Sequence, residues 1–357
     1  MKPTRRILLS AALLLTALLW RMLGAPLSSA DWGALGTPLW QARALLPQRA
    51  LRVFSLWTLA SGEAAAASAE ETALLRVFHP DTGELADMPM EEYVCAAVAA
   101  EMPASYHLEA LKAQAVAART RALQGCALCE GANVCTDSAH CQAFADEARR
   151  RELWGESCGA YTERVRQAVR ETAGQILTYE GKPITVLYHA ISGGHTEDAQ
   201  AVFSQSLPYL VGVESAGEED ARGCYEDATF SYEEAVRLLE PLSPGLTADA
   251  LQSTLAIATH TATGRVSTLL LGGKEIEATE LRRALGLRST WFTLSATASG
   301  LTFHQRGYGH GVGMSQVGAN AMAAAGETYQ RILAHYYQGT ELSALEERHS
   351  LSTSRPT

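Results

Sequence analysis

The chain has 357 residues, 47% of them hydrophobic and 19% charged, and a formal net charge of -10. Those are ordinary globular values, and a chain of this length can bury a substantial core. The acidic balance argues against nucleic acid as a partner, and seven cysteines are too few for a disulfide-stapled scaffold of this size.

The first elements are apolar. Lys2, Arg5 and Arg6 precede a run from Ile7 to Trp20, the pattern of a secretory signal or a signal anchor. Arg21 can snorkel, and Met22, Leu23 and Leu27 extend the span. Residues 1–30 therefore read as an uncleaved transmembrane anchor, with cleavage after Ala25 or Ala30 as the alternative. Basic residues ahead of the span keep the N-terminus in the cytoplasm, which predicts a single-pass cell-membrane protein with its bulk outside. Residues 31–73 read as an extracytoplasmic linker, ending in the small-residue run SGEAAAASAEE.

The folded domain is expected over residues 74–345, in the α+β class, with mixed helices and strands forming a cleft. LLRVFHP followed by DTGE predicts a strand and a tight turn. A helix follows from Glu91 to Glu101, with Val94, Ala97 and Val98 on one face. Pro103 stops it, because the residue before a proline is pushed out of the helical region. Ser105 is a candidate N-cap for a second helix, whose packing face carries Leu108, Leu111, Ala115 and Ala118. Glu101 thus sits in the last turn of a very apolar helix. The negative end of the helix dipole and the surrounding alanines both disfavour its charged form. A carboxyl kept protonated near neutral pH suits a general acid; a solvated glutamate at a helix end is the plainer reading.

Cys126, Cys129, Cys135, His140 and Cys141 then fall within sixteen residues. Thiolates and imidazole this close suit tetrahedral Zn²⁺, and disulfides are the alternative outside the cytoplasm. Cys95, Cys158 and Cys224 read as packed thiols. A helix over 160–172 precedes strands at Gln175–Tyr179 and Ile184–His189. The segment SGGHTED, Ser192 to Asp198, offers polar side chains beside two glycines. Helix and strand segments continue through Phe230–Leu239, Leu251–Ala258 and Arg265–Leu271, with a short helix at Glu280–Leu285. Near the end, Gly307, Gly309, Gly311 and Gly313 alternate with larger residues before a helix beginning about Ser315. Free N–H groups at that helix start would suit a polar ligand, which His310, Ser315 and Gln316 would then face. The loop lacks the Lys-Ser/Thr ending of a phosphate-binding P-loop. Residues 346–357 read as a disordered tail.

Three segments together, EEYVCAAVAAEMPASYHLEALKAQAVAARTRAL, YHAISGGHTE and GYGHGVGMSQVGANAMAAAGETYQRILAHYYQGTEL, resemble the stage II sporulation protein D family. ALGLRSTWF also resembles a segment of that family. The resemblance spans about Leu74 to Leu342. It implies a lytic transglycosylase that cleaves MurNAc–GlcNAc bonds in peptide-stripped peptidoglycan strands, leaving 1,6-anhydro-MurNAc ends, during forespore engulfment. It implies stage II sporulation proteins P and M as partners, and Glu101, in the E-M-P motif, as the catalytic residue. Family members that bind zinc do so through His-x5-Cys-x4-His-Cys. Here that pattern falls on Cys129, Cys135, His140 and Cys141, with a cysteine in the first position and Cys126 as an alternative ligand. His189, Ser192, Thr196, His310, Ser315 and Gln316 are carried over as candidate glycan-binding groups, and Gln114 and Arg119 could face the cleft or a neighbouring helix. Some relatives are instead non-catalytic activators of an N-acetylmuramoyl-L-alanine amidase, which supplies a second expectation.

Overall fold

The computed structural model describes residues 73–126, 129 and 131–345. The anchor and linker expected over residues 1–72 and the tail expected over residues 346–357 lie outside that range. Among the described residues no helix is long and apolar enough to cross a membrane.

The described chain is a mixed α+β unit. Strand β1 (Leu74–His79) pairs antiparallel with β2 (Glu84–Pro89) and parallel with the short β3 (Val134–Cys135). Pro89 leads directly into α1 (Met90–Glu101), which buries Tyr93, Val94, Ala97 and Val98. Met102, the residue before Pro103, is extended at φ -131° and ψ 136°, which is how that proline ends the helix.

The second helix, α2 (Leu108–Ala122), starts later than a Ser105 cap would place it, with His107 at the N-cap. The Pro103 carbonyl accepts the Tyr106 N–H in a turn that uses up the intervening residues. Asn320 Oδ1 accepts the His107 N–H at 2.9 Å. This helix is buried nearly all round, not along one face: Ala110, Leu111, Ala113, Ala115, Val116, Ala117 and Ala118 are all inaccessible to solvent. Apolar residues on every side mark a central helix, and alanines let its neighbours approach closely. Those neighbours are α1, α3 (Glu147–Trp154) through α1, α4 (Cys158–Glu171), and two late helices.

Strand β4 (Gln175–Tyr179) turns through Glu180 and Gly181 into β5 (Lys182–Pro183). The strand expected over Ile184–His189 is paired only at β6 (Tyr188–His189). Helix α5 (Ala199–Phe203) follows.

A second hydrophobic cluster then builds from β7 (Tyr225–Ser231), α6 (Tyr232–Leu239), α7 (Ala248–Thr254) and β8 (Ala256–His260). It continues through β9 (Val266–Leu271), β10 (Lys274–Glu277), α8 (Ala278–Leu285), β11 (Phe292–Ala296) and β12 (Gly300–Arg306). Its centre is Leu239, Leu251, Leu269, Leu271, Leu281 and Phe303. The ladders run β10-β9-β8 and β11-β12-β7. The chain returns to the first core through β13 (Met314–Ser315), α9 (Gln316–Ala324), α10 (Tyr329–Tyr336) and β14 (Glu341–Ala344), which pairs with β4.

Candidate active site

Two long-range joints bring the polar groups to the end of α1. β6 pairs in parallel with β13, aligning Tyr188 with Met314 and His189 with Ser315. The loop after β3 returns along α1, where the Ala145 N–H donates to the Ala96 carbonyl at 3.1 Å. Glu101 lies where they meet, half-buried at the last position of α1. Its Oε1 accepts the Ala143 N–H at 2.9 Å. Burial raises its pKa, opposed by the Ala143 N–H, by Gln316, by Tyr188 and by the positive charge of Arg121. The direction agrees with the sequence expectation, and its first cause is burial, the part of that expectation carried by the surrounding alanines.

Around the carboxyl lies a polar chain. The Tyr188 hydroxyl donates to Gln142 Oε1 at 2.7 Å, and Gln142 Nε2 donates to Tyr93 Oη and to the Ala118 carbonyl, both at 3.3 Å. Burial and the Glu101 charge push the Tyr188 phenol well above its ordinary value, so it stays a donor. Gln316, the first residue of α9, is buried against the carboxyl, and its Nε2 makes no hydrogen bond of ordinary geometry. Tyr188, Gln142, Arg121 and the Ala143 N–H escaped the sequence reading. Only the parallel joint and the return of the cysteine loop bring them to Glu101.

His310 is half-buried beside His189 of β6. Its Nδ1 accepts the Val312 N–H at 3.1 Å, and its ring packs 5.6 Å from both His189 and Phe203. Burial, followed by the charge of Arg282, lowers its pKa to about 4, so it is neutral at physiological pH. Beside Phe203 lies a cavity of about 170 Å³, lined also by Thr185, Leu187, Ala199, Gln205 and Leu207.

Other expected ligand-facing residues are spent inside the fold. Ser192 Oγ donates to Glu218 Oε2 at 2.9 Å, and Glu218 also accepts from Ser215 Oγ at 2.6 Å and the Gly193 N–H at 2.7 Å. Thr196 Oγ1 accepts the Val213 N–H at 2.8 Å. Ser315 caps α9 by accepting the Gly318 N–H at 3.3 Å, and it accepts the Ser192 N–H as well. The start of α9 is thus occupied internally. His189 is buried with Nδ1 3.1 Å from the Val312 carbonyl and Nε2 unpartnered. Arg119 turns away from Glu101 and pairs with Glu91 through two contacts of 2.9 and 2.5 Å. Gln114 is buried in α2 with neither amide atom hydrogen-bonded. The glycine alternation serves close approach: at Gly313, φ is +72° and a side chain would strike the Leu187 carbonyl.

The cysteine loop forms a sulfur cluster. Cys126, Cys129 and Cys135 bring their sulfurs within 4.8 Å of one another. Cys141 Sγ accepts the Cys135 N–H at 3.3 Å, and its thiol also meets those of Cys135 and Cys126. His140 stands outside this group, with Nδ1 3.5 Å from Asp137 Oδ2. Cys126, expected only as an alternative to Cys129, thus stands with the other sulfurs, and Cys129 stands there too. Burial, then the neighbouring thiols, push Cys129 up to about 12 and raise Cys141 too. Crowded thiols that resist ionising alone form a donor set that a soft divalent cation would relieve.

The segments that build this site fall within stretches of the chain that are similar to known proteins. The family described as Stage II sporulation protein matches residues 79–179. Stage II sporulation protein D of Bacillus subtilis is 35% identical over 272 residues, covering 75% of this chain and 78% of that protein. Its counterpart in Bacillus amyloliquefaciens is 34% identical, with 75% and 78% covered. The amidase enhancer of Bacillus subtilis is 29% identical over 68% of this chain, which spans 39% of that protein. The chain belongs to the stage II sporulation protein D family.

Proposed function

We propose that this protein is a peptidoglycan lytic transglycosylase, acting during sporulation on MurNAc–GlcNAc bonds of strands freed of stem peptides. The observation that carries the reading is the setting of Glu101. Its carboxyl is half-buried and raised in pKa, and the groups bearing on it most are an amide N–H, Gln316, a phenol and a guanidinium. None of these is a second carboxylate, whereas a hydrolase ordinarily employs two.

Protonated Glu101 donates to the glycosidic oxygen as the bond breaks. The sugar's own acetamido oxygen relieves the charge at the anomeric carbon. The carboxylate left behind, held by the Ala143 N–H, then takes the proton of the C6 hydroxyl, whose oxygen closes the 1,6-anhydro ring. No water is consumed, and Glu101 ends protonated as it began.

Zn²⁺ would sit among Cys126, Cys129, Cys135 and Cys141, a closed four-sulfur set whose role is structural. Held there, it would fix the loop that delivers Gln142 and Ala143 to the site. The reading also places the protein at the cell membrane through residues 1–30, with its catalytic unit outside, and makes stage II sporulation proteins P and M its partners.

A second reading, favoured by the likeness to the amidase enhancer, is a wall-binding activator of an N-acetylmuramoyl-L-alanine amidase. One experiment separates the two. The full-length chain is incubated with peptide-free glycan strands, and the products are examined by mass spectrometry. Anhydromuramyl ends that disappear in a folded Glu101→Gln variant support the transglycosylase. Ordinary reducing ends would mean hydrolysis, and intact strands would leave the activator.

A further inference from the structure

In a chain of net charge -10, Arg282, Arg283 and Arg288 gather within seven residues at the end of α8 and just beyond it. Arg288 is committed: its NH1 lies 2.6 Å from Glu226 Oε2, and its guanidinium stacks 4.9 Å from the centre of the Tyr308 ring. Arg282 is not. Its Nε donates to the Arg288 carbonyl at 3.1 Å, which anchors the side chain. Its two terminal nitrogens have no acceptor and no carboxylate among the described residues, although the side chain is half-buried. Burial lowers its pKa, Tyr308 opposes that shift, and Arg283 adds to it. A guanidinium anchored at Nε and open at both terminal nitrogens is a fork cut for a carboxylate.

Its surroundings fit a sugar. Tyr308 is 46% exposed and Phe203 is 47% exposed, although both are large and apolar. Phe203 packs edge-on against His310, and Tyr308 stands two residues before it, held by hydrogen bonds of 2.7 and 3.0 Å to the Ile191 backbone. Arg282 is tied to the Arg288 carbonyl, and the Arg288 guanidinium stacks on Tyr308, which brings the fork to the Tyr308 side of this loop. Exposed rings next to a polar tip are what the mixed apolar and hydroxylated faces of a sugar ring require.

We propose that Arg282 is the carboxylate-binding residue of a saccharide subsite flanked by Tyr308 and Phe203, and that its ligand is the free lactyl carboxyl of a muramic acid residue. This rests on the reading of Glu101 as acting on glycan strands. It adds the basis on which stripped strands are chosen: a stem peptide is attached through that carboxyl as an amide, which removes the negative charge the fork would hold.

The test is binding, measured by calorimetry on the full-length chain in detergent, carrying Glu101→Gln to stop turnover. Three probes are compared at low salt: peptide-free glycan strands, the same strands with their carboxyls reduced to alcohols, and poly(glycerol phosphate). Carboxylated strands should bind about tenfold more tightly than reduced ones, the yield of one charge-assisted bidentate contact. Arg282→Gln should erase that preference, and Arg282→Lys should restore part of it. Equal affinity for carboxylated and reduced strands overturns the proposal and needs no variant at position 282. A folded Arg282→Gln protein that keeps the preference overturns it too, as does tighter binding of poly(glycerol phosphate). Failure of the Glu101 reading is seen separately, as intact strands with the unsubstituted protein.

Discussion

The Ala143 N–H points at Glu101 Oε1 from 2.9 Å, and Ala143 lies two residues beyond Cys141. The proposed acid is therefore wired to the cysteine cluster through three consecutive residues. Loosening the cluster should cost activity without touching Glu101. With the proposed Zn²⁺ bound, chelation at neutral pH, or Cys126→Ser, should release it and lower the rate of anhydromuramyl product formation by roughly tenfold, as for other groups that orient a site. His140→Ala should retain the metal, because His140 pairs with Asp137 outside the sulfur group. Metal content by atomic emission, read beside the rate, checks both. Loss of metal in His140→Ala with retention in Cys126→Ser would reverse the ligand assignment.

The pH profile should be bell-shaped. Burial raises the pKa of Glu101, so the protonated form needed to start the reaction is lost as pH rises through that value. Two histidines, buried His189 and half-buried His310, set the acid limb. His310 is lowered to about 4 and His189 is lowered well below its usual range, in each case first by burial. The unfolded chain binds those protons near pH 6.5 while the native chain does not, so stability falls as pH drops from about 6.5 toward 4. Melting temperatures from pH 4 to 8 should show this slope, and His310→Gln should flatten it. The same reasoning has Glu101→Gln gaining stability relative to the parent as pH rises.

Glu101→Gln itself should lower turnover by roughly a hundred- to ten-thousand-fold, the usual worth of a general acid. The Michaelis constant for glycan strands should change little, and circular dichroism should be unaltered.

Tyr188→Phe removes the hydroxyl that donates to Gln142 and lies against the Glu101 carboxyl. It leaves Gln142 Oε1 short of a donor, a loss of about 1–3 kcal/mol. Turnover should fall, and the alkaline limb of the profile should move to higher pH, because the phenol lowers the pKa of Glu101. A shift to lower pH would mean that Tyr188 acts on Glu101 as a neighbouring negative charge and not as a donor.

Arg119→Met should be among the most destabilising single changes, by about 3–5 kcal/mol, because it strands Glu91 beside the core. Arg119 is wholly buried in α2 and also donates to the Gln175 carbonyl at 3.0 Å, tying β4 to the two helices. Thermal melting measures this directly. The double variant Arg119→Met/Glu91→Leu should recover much of the loss.

What could be read in advance was local. Met90–Glu101 shows its apolar spacing and its proline stop within a dozen residues, and Glu101 stands out because its neighbours are alanines and valines. What could not be read depends on partners far along the chain. Tyr188 reaches Glu101 only because β6 meets β13, and nothing in the sequence around Tyr188 announces that joint. Cysteine spacing alone does not choose between Cys126 and Cys129, and it does not show that His140 lies beside Asp137 and outside the sulfur group. Ser192, Thr196 and Ser315 look like ligand groups in a glycine-rich context. Their hydroxyls are instead taken by backbone amides and by Glu218, which buried loops must satisfy internally.

Tyr225 and Arg306 face each other across β7 and β12, and the Gly307 N–H closes onto the Cys224 carbonyl at 2.7 Å. The stretch between them, with its own apolar centre, therefore leaves and rejoins the main body through a single doorway. A segment attached this way can be lengthened, shortened or exchanged in evolution without rethreading the helices that hold Glu101. Arg282, which bears on His310, belongs to that segment, so the surroundings of His310 could change while the position of Glu101 stays put.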